Sequence, residues 1–184
     1  DRIKKEFPDI VWGGSAAAWG IECGTGWGLL IYLFFLDTQA FCVNSGGKLV
    51  VSQIKNKFGT LRLYCHLSGG ASEEENGRSE FVPEQFGRVF SFRPYPRDPT
   101  FRALLTYYEQ ASAHICELCG EAGHIDQKIC SWLTPLCHPH AAMMEELRHD
   151  DAQEKFDEID RKSATSILAR IEQLAKEKTD KQGV

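Results

Sequence analysis

CELCGEAGHIDQKICSWLTPLCHPH, residues 116–140, is the stretch that decides the fold. It sets Cys116 and Cys119 two residues apart and then, after seventeen residues, Cys137 and His140 at the same spacing. Two such pairs bring four soft or borderline ligands to one point, which is what a tetrahedral Zn²⁺ site requires. Gly120 lets the chain turn sharply behind the second sulfur. The second pair opens HAAMMEELRHD (140–150), which is helical in character. Knuckle, short hairpin, then ligands on the first turn of a helix is the order of a treble-clef-like zinc module. The competing reading is a set of reduced core cysteines that fall at ligand spacing by chance.

Four protein ligands close the tetrahedron and leave no position for water, so the spacing predicts a structural ion rather than a catalytic one. His138, Cys130, His124 and His114 are the spare donors. His138 shares a turn with His140 and can take its place. Cys130, close to Trp132, reads better as a buried hairpin residue.

Outside this stretch the composition is that of a globular chain. At 184 residues, with 42% hydrophobic residues and eleven Phe, it suits one domain or a core plus a small zinc subdomain. Of seven cysteines, Cys23, Cys42 and Cys65 show no pairing logic, the pattern of a reducing cytoplasm. No secretory leader is visible, although the chain opens on Asp1 rather than Met, as it would if residues were missing upstream. The longest apolar run, LLIYLFFL (29–36), falls short of the roughly 20 residues that span a bilayer and reads as a buried core helix.

The net charge of −5 is unevenly spread. Residues 1–115 balance twelve basic against twelve acidic side chains, whereas residues 116–184 hold nine against fourteen. The excess concentrates in Glu145, Glu146, Asp150, Asp151, Glu154, Asp157, Glu158 and Asp160, among which only Arg148 and Lys155 are basic. A nucleic-acid binder carries the opposite sign. The cluster is either a solvated helix face or a docking surface for a basic partner.

Along the chain, residues 1–20 read as an irregular entry punctuated by Pro8, Gly13 and Gly14. GIECGTGW (20–27) is a glycine-rich turn before a helix from Gly28 to about Val43, with Thr25 as a candidate N-cap. Such a loop can cradle an anion, but it lacks the Lys-[ST] pair of a phosphate loop and reads as a packing turn. Leu49–Ile54 and Thr60–Leu67 are strands of an antiparallel hairpin joined by KNKFG. Lys55, Lys57 and Arg62 make a basic spot there beside Phe58 and Tyr64. Gly69–Glu80 reads as a mobile loop, and the proline-rich 81–100 as an extended segment. Phe101–Ile115 is a helix that feeds into the first knuckle. The domains are therefore 1–115, an α+β core with the loop at 69–80; 116–141, the zinc module; and 142–184, a helical segment with a narrow apolar stripe, breaking near Ser163–Ser166.

Three pieces together resemble a family of small bacterial and phage proteins that carries no established activity. They are Gly20-Ile21-Glu22-Cys23-Gly24 with Gly26-Trp27; Gln53-Ile54-Lys55-Asn56-Lys57-Phe58-Gly59-Thr60-Leu61-Arg62-Leu63-Tyr64; and Cys116-Glu117-Leu118-Cys119-Gly120 with Gly123, Trp132, Leu136, Cys137 and His140. The resemblance covers most of residues 7–141. It supports Cys116, Cys119, Cys137 and His140 as one set, and its association with conflict-related loci implies an immunity or antitoxin role.

The leading expectation is a non-enzymatic cytoplasmic binding protein with a structural zinc, an immunity protein or toxin inhibitor that docks a basic partner. The alternative is a zinc-containing nucleic-acid-binding protein. An enzyme would have to draw on Glu22, Cys23, Lys57, Arg62 or His66, and no nucleophile–base set follows from their spacing.

Overall fold

The computed structural model describes residues 2–69, 98–129, 132–145, 147 and 149–182. The expected mobile loop beyond Gly69, the proline-rich segment up to residue 97, and Cys130 lie outside the described residues. The fold is α+β. Its centre is a hairpin of β3 (Lys48–Lys57) and β4 (Thr60–Ser68), paired antiparallel from Lys48↔Ser68 to Lys57↔Thr60. Phe58 and Gly59 turn it with φ of 58° and 75°, a left-handed pair that matches the twist of the strands. The alternation read in β4 holds: Leu61, Leu63, Cys65 and Leu67 are buried, and the residues between them are half-buried.

The sheet is mixed rather than purely antiparallel. Two short strands, β1 (Val11–Trp12) and β2 (Ile21–Glu22), both run parallel to β3 along the edge that β4 leaves free. Between them the chain detours through α2 (Gly14–Ala18) beside a bulge in β3 between Val51 and Gln53. There Gly13 N–H donates to Val51 O at 2.9 Å and Ser15 Oγ to Ser52 O at 3.4 Å. The entry is thus structured, beginning with α1 (Arg2–Glu6); two-residue strands offer no periodicity for a sequence to display.

The apolar run 29–36 lies within α3 (Gly28–Ser45), which buries Leu30, Ile31, Tyr32, Phe34 and Phe35. By length and composition alone Thr25–Ser45 is apolar enough to cross a membrane, with mean hydropathy 1.4. Here its largest side chains sit in the core, where Phe35 meets Phe7 and Trp12 with ring centroids 5.6 and 5.8 Å apart. Full burial of each such ring contributes about 1.5–3 kcal/mol. Thr25 does not cap this helix; Trp27 holds the cap position after a single 3₁₀ turn, Thr25–Trp27.

Helix α4 (Pro99–Ser112) starts two residues earlier than the sequence reading placed it. Asp98 accepts from Thr100 N–H at 2.8 Å and Phe101 N–H at 2.9 Å, and Pro99 occupies the first turn. This helix also covers the outer edge of β4: Leu61 N–H donates to Ser112 Oγ at 2.8 Å and Leu63 N–H to Glu109 Oε1 at 3.0 Å. Those bonds satisfy donors that an open edge would leave unpaired.

After a second hairpin, β5 (His124–Ile129) and β6 (Trp132–Leu136), come α5 (His138–Glu145) and α6 (His149–Gln182). Helix α6 runs unbroken for 34 residues through Ser163–Ser166, against the expected break. Its stripe explains the continuity. Ala152, Phe156 and Ile159 pack on the Cys/His module, and Ile167, Ile171 and Ala175 pack on the main core. One rigid rod serves two cores, so the segment lies on the body of the protein along both.

Candidate metal centre

Each ligand pair is presented by a different device. Cys116 and Cys119 flank a tight turn in which Gly120 N–H donates to Cys116 O at 2.9 Å, with Gly120 at φ 78°. A side chain there meets Gly26 O at 2.8 Å, so both the backbone angle and the close approach demand glycine. Cys137 directly precedes α5, whose first turn carries His140 back over it, and Ala141 N–H closes that turn on Cys137 O at 2.9 Å.

The four ligand atoms lie within 4.8 Å of one another, positioned to hold a metal ion. Cys119 Sγ and Cys137 Sγ are 3.8 Å apart, and His140 Nδ1 is 3.4 Å from Cys116 Sγ and 3.2 Å from Cys137 Sγ. Nδ1 is therefore the facing imidazole nitrogen. His138 is exposed on the same turn and is not in this group; neither His114 nor His124 joins it. Burial raises the Cys119 thiol to about 12 and raises Cys137, and it lowers His140. A bound dication would reverse the two thiol shifts and reinforce that of His140, because thiolates and a neutral imidazole are the metal-binding forms.

The knuckle is fastened to the core through Glu117, which lies between the two cysteines and is 3% exposed. Its Oε1 accepts from Gly24 N–H at 2.9 Å, its Oε2 accepts from Asn56 Nδ2, and its backbone O accepts from Gly26 N–H at 2.8 Å. Burial raises this carboxyl to about 7 and nearby Asp160 adds to the shift, while the bonds from Gly24 and Asn56 oppose it. Trp27 Nε1 completes the seam by donating to Ile115 O at 2.9 Å. The glycine turn, the β3–β4 hairpin and the Cys-x2-Cys knuckle thus converge on one buried carboxylate. Sequence reasoning passed over Glu117 and Asn56, because an acidic residue inside a knuckle carries no pattern that separates a buried anchor from a solvated side chain.

This network makes a testable demand. Glu117→Gln keeps the shape but turns an N–H₂ toward a donor at either Gly24 or Asn56, and should cost about 1–3 kcal/mol. Adding Asn56→Asp supplies the missing acceptor and should recover part of the loss in urea unfolding. A double variant no more stable than the sum of the two single losses would refute the pairing.

The remaining sequence candidates are dispersed. Glu22 is exposed and accepts from Gln53 Nε2 at 2.9 Å and Ser15 Oγ at 3.3 Å. Arg62 pairs with Glu109 at 3.3 Å, Lys57 lies over the Phe58 ring, and His66 is half-buried on β4. Cys23 lies in the glycine turn, its thiol pushed well up by burial, with Glu117 and Asp160 adding to the shift.

The acidic set is not one uniform surface. Asp160 turns inward: its Oδ1 accepts from Thr25 N–H at 2.5 Å and Thr25 Oγ1 at 2.9 Å, binding α6 to the glycine turn. Glu158 sits between Lys155 and Lys162, whose bonds hold its carboxyl down at about 2. Repulsion between Glu154 and Glu158, one turn apart, is therefore offset within the helix. Glu145, Asp151, Glu154 and Asp157 are exposed, Asp157 accepting from Gln153 Nε2 at 2.8 Å. Glu146 and the side chain of Asp150 lie outside the described residues. Compared with family models, curated proteins and solved structures, the chain matches none.

Proposed function

We propose that Cys116, Cys119, Cys137 and His140 hold a structural zinc in a treble-clef-like module, and that the chain is a cytoplasmic binding protein docking a basic protein partner. The observation that carries the zinc reading is the set of edge lengths. Zinc bonds of about 2.3 Å to sulfur and about 2.0 Å to nitrogen give tetrahedral S···S and S···N edges of about 3.8 and 3.5 Å. The distances of 3.8, 3.4 and 3.2 Å agree within a few tenths of an ångström. Three sulfurs and one nitrogen complete the coordination, and the order knuckle, hairpin, helix is that of a treble clef. When bound, zinc supplies cross-linking rather than chemistry at such a site.

The docking reading rests on the exposed carboxylates of Glu145, Asp151, Glu154 and Asp157, which leave a negative strip after Asp160 and Glu158 are discounted. Such a strip speeds and selects encounter with a cationic protein, and an immunity protein against a basic toxin is the form that the family resemblance favours. The test is recovery of the native partner by the wild-type chain and by one with all four residues changed to Lys. The reversed chain should associate at least about tenfold more slowly and with weaker salt dependence, zinc content unchanged. Equal recovery would move the contact elsewhere.

A second reading, single-stranded nucleic acid, draws on Phe58. This ring is 69% exposed at a left-handed backbone position, with Lys57 Nζ 5.3 Å from its centroid and Lys55 Nζ 5.3 Å from that of Tyr64. A steep salt slope in oligonucleotide binding, abolished by Phe58→Ala, would promote it.

A further inference from the structure

We infer that the cavity between the glycine turn and α6 binds a small apolar carboxylate, at a site separate from the metal centre and from the acidic strip. The cavity measures about 360 Å³, inside the range of roughly 300–1,000 Å³ typical of small-molecule sites. Elements distant in the chain enclose it: Ile3 and Lys4 of α1, Trp12 of β1, Ile31 of α3, and Ile167 and Leu168 of α6. At about 30 Å³ per water this volume suits an alkyl chain on the order of ten carbons.

The lining is apolar except for a few groups, and their state defines the ligand. The Thr25 hydroxyl is engaged by Asp160 at 2.9 Å. Lys4 Nζ stands 5.2 Å from the centroid of the Trp12 ring, and Lys4 is the only charged residue in the described lining. An oxyanion beside Lys4 gives the ammonium a counter-charge, while an attached alkyl chain fills the lumen. Leu168, 45% exposed, stands at the solvent side of the opposite wall.

The test is calorimetric titration of the full chain with decanoate, and with decanol as the neutral control. Decanoate should bind with Kd below about 100 μM, and decanol at least about tenfold more weakly, because it lacks the charge for Lys4. Lys4→Gln should weaken decanoate several-fold and leave decanol unchanged. Leu168→Trp, a change at an exposed position, should weaken both ligands by narrowing the cavity while its thermal melt stays that of the wild type. No decanoate binding at about 1 mM, equal affinity for decanoate and decanol, or full binding by Leu168→Trp would each overturn the assignment.

Discussion

Cys137→Ser, or removal of the metal by a chelator, is expected to lower the stability of this chain by about 4 kcal/mol or more. For a chain of this length that corresponds to a fall in melting temperature of roughly 8–16 °C. The reason lies in what a bound ion would hold. The Cys/His module has a small core of its own, Cys116, Leu118, Leu136, Cys137, Ala141, Met144 and Ala152. Without the cross-link, buried thiols crowd one another, and the knuckle loses the constraint that keeps Glu117 aimed at Gly24 and Asn56. Differential scanning calorimetry beside metal analysis makes the check. One zinc per chain, lost in the variant together with the stability, is the expected result. A metal-free chain that melts at the wild-type temperature would remove the structural role.

Gly26→Ala is expected to cost about 3 kcal/mol, the upper end for overpacking, and to weaken metal retention although residue 26 is no ligand. A methyl group at Gly26 would lie 2.3 Å from Cys116 O and 2.6 Å from Glu117 O. Those atoms are backbone and cannot swing aside, so the turn and the knuckle must separate, and the Gly26 N–H bond to Glu117 O goes with them. Gly46→Ala is the control. That residue also turns the chain, at φ 71°, but nothing lies within 4 Å of its added methyl. It should show only the left-handed strain, about 1–2 kcal/mol, with metal affinity intact. If the two variants lose metal equally, the seam between turn and knuckle does not support the site.

The glycine turn illustrates the limit of reading motifs one at a time. Its helix-preceding position and small residues fit an anion cradle as well as a packing turn. The distinction comes from residues some ninety positions away, whose carbonyls occupy the space that side chains would fill. The capping signature Asp98-Pro99, by contrast, was present in the sequence and was masked only by the prolines before it.

What the sequence by itself determined is the local chemistry. The ligand set follows from spacing, because Cys-x2-Cys and Cys-x2-His each close within one turn of backbone, whatever surrounds them. The buried helix, read from Gly28 to about Val43, follows from an unbroken apolar run and the alternation of β4 from hydrophobic period, both local properties. Only the tertiary structure decided the rest. It set which ring nitrogen faces the thiols, because α5 turns Nδ1 of His140 inward and leaves the spare donor His138 exposed. It kept α6 whole through its serines, because two separate cores bury one stripe. It turned Asp160 from a surface charge into a bond to Thr25, and it made Glu117 the point where three distant motifs meet. Each of these depends on partners remote in sequence, and such pairings leave no period or spacing in the chain.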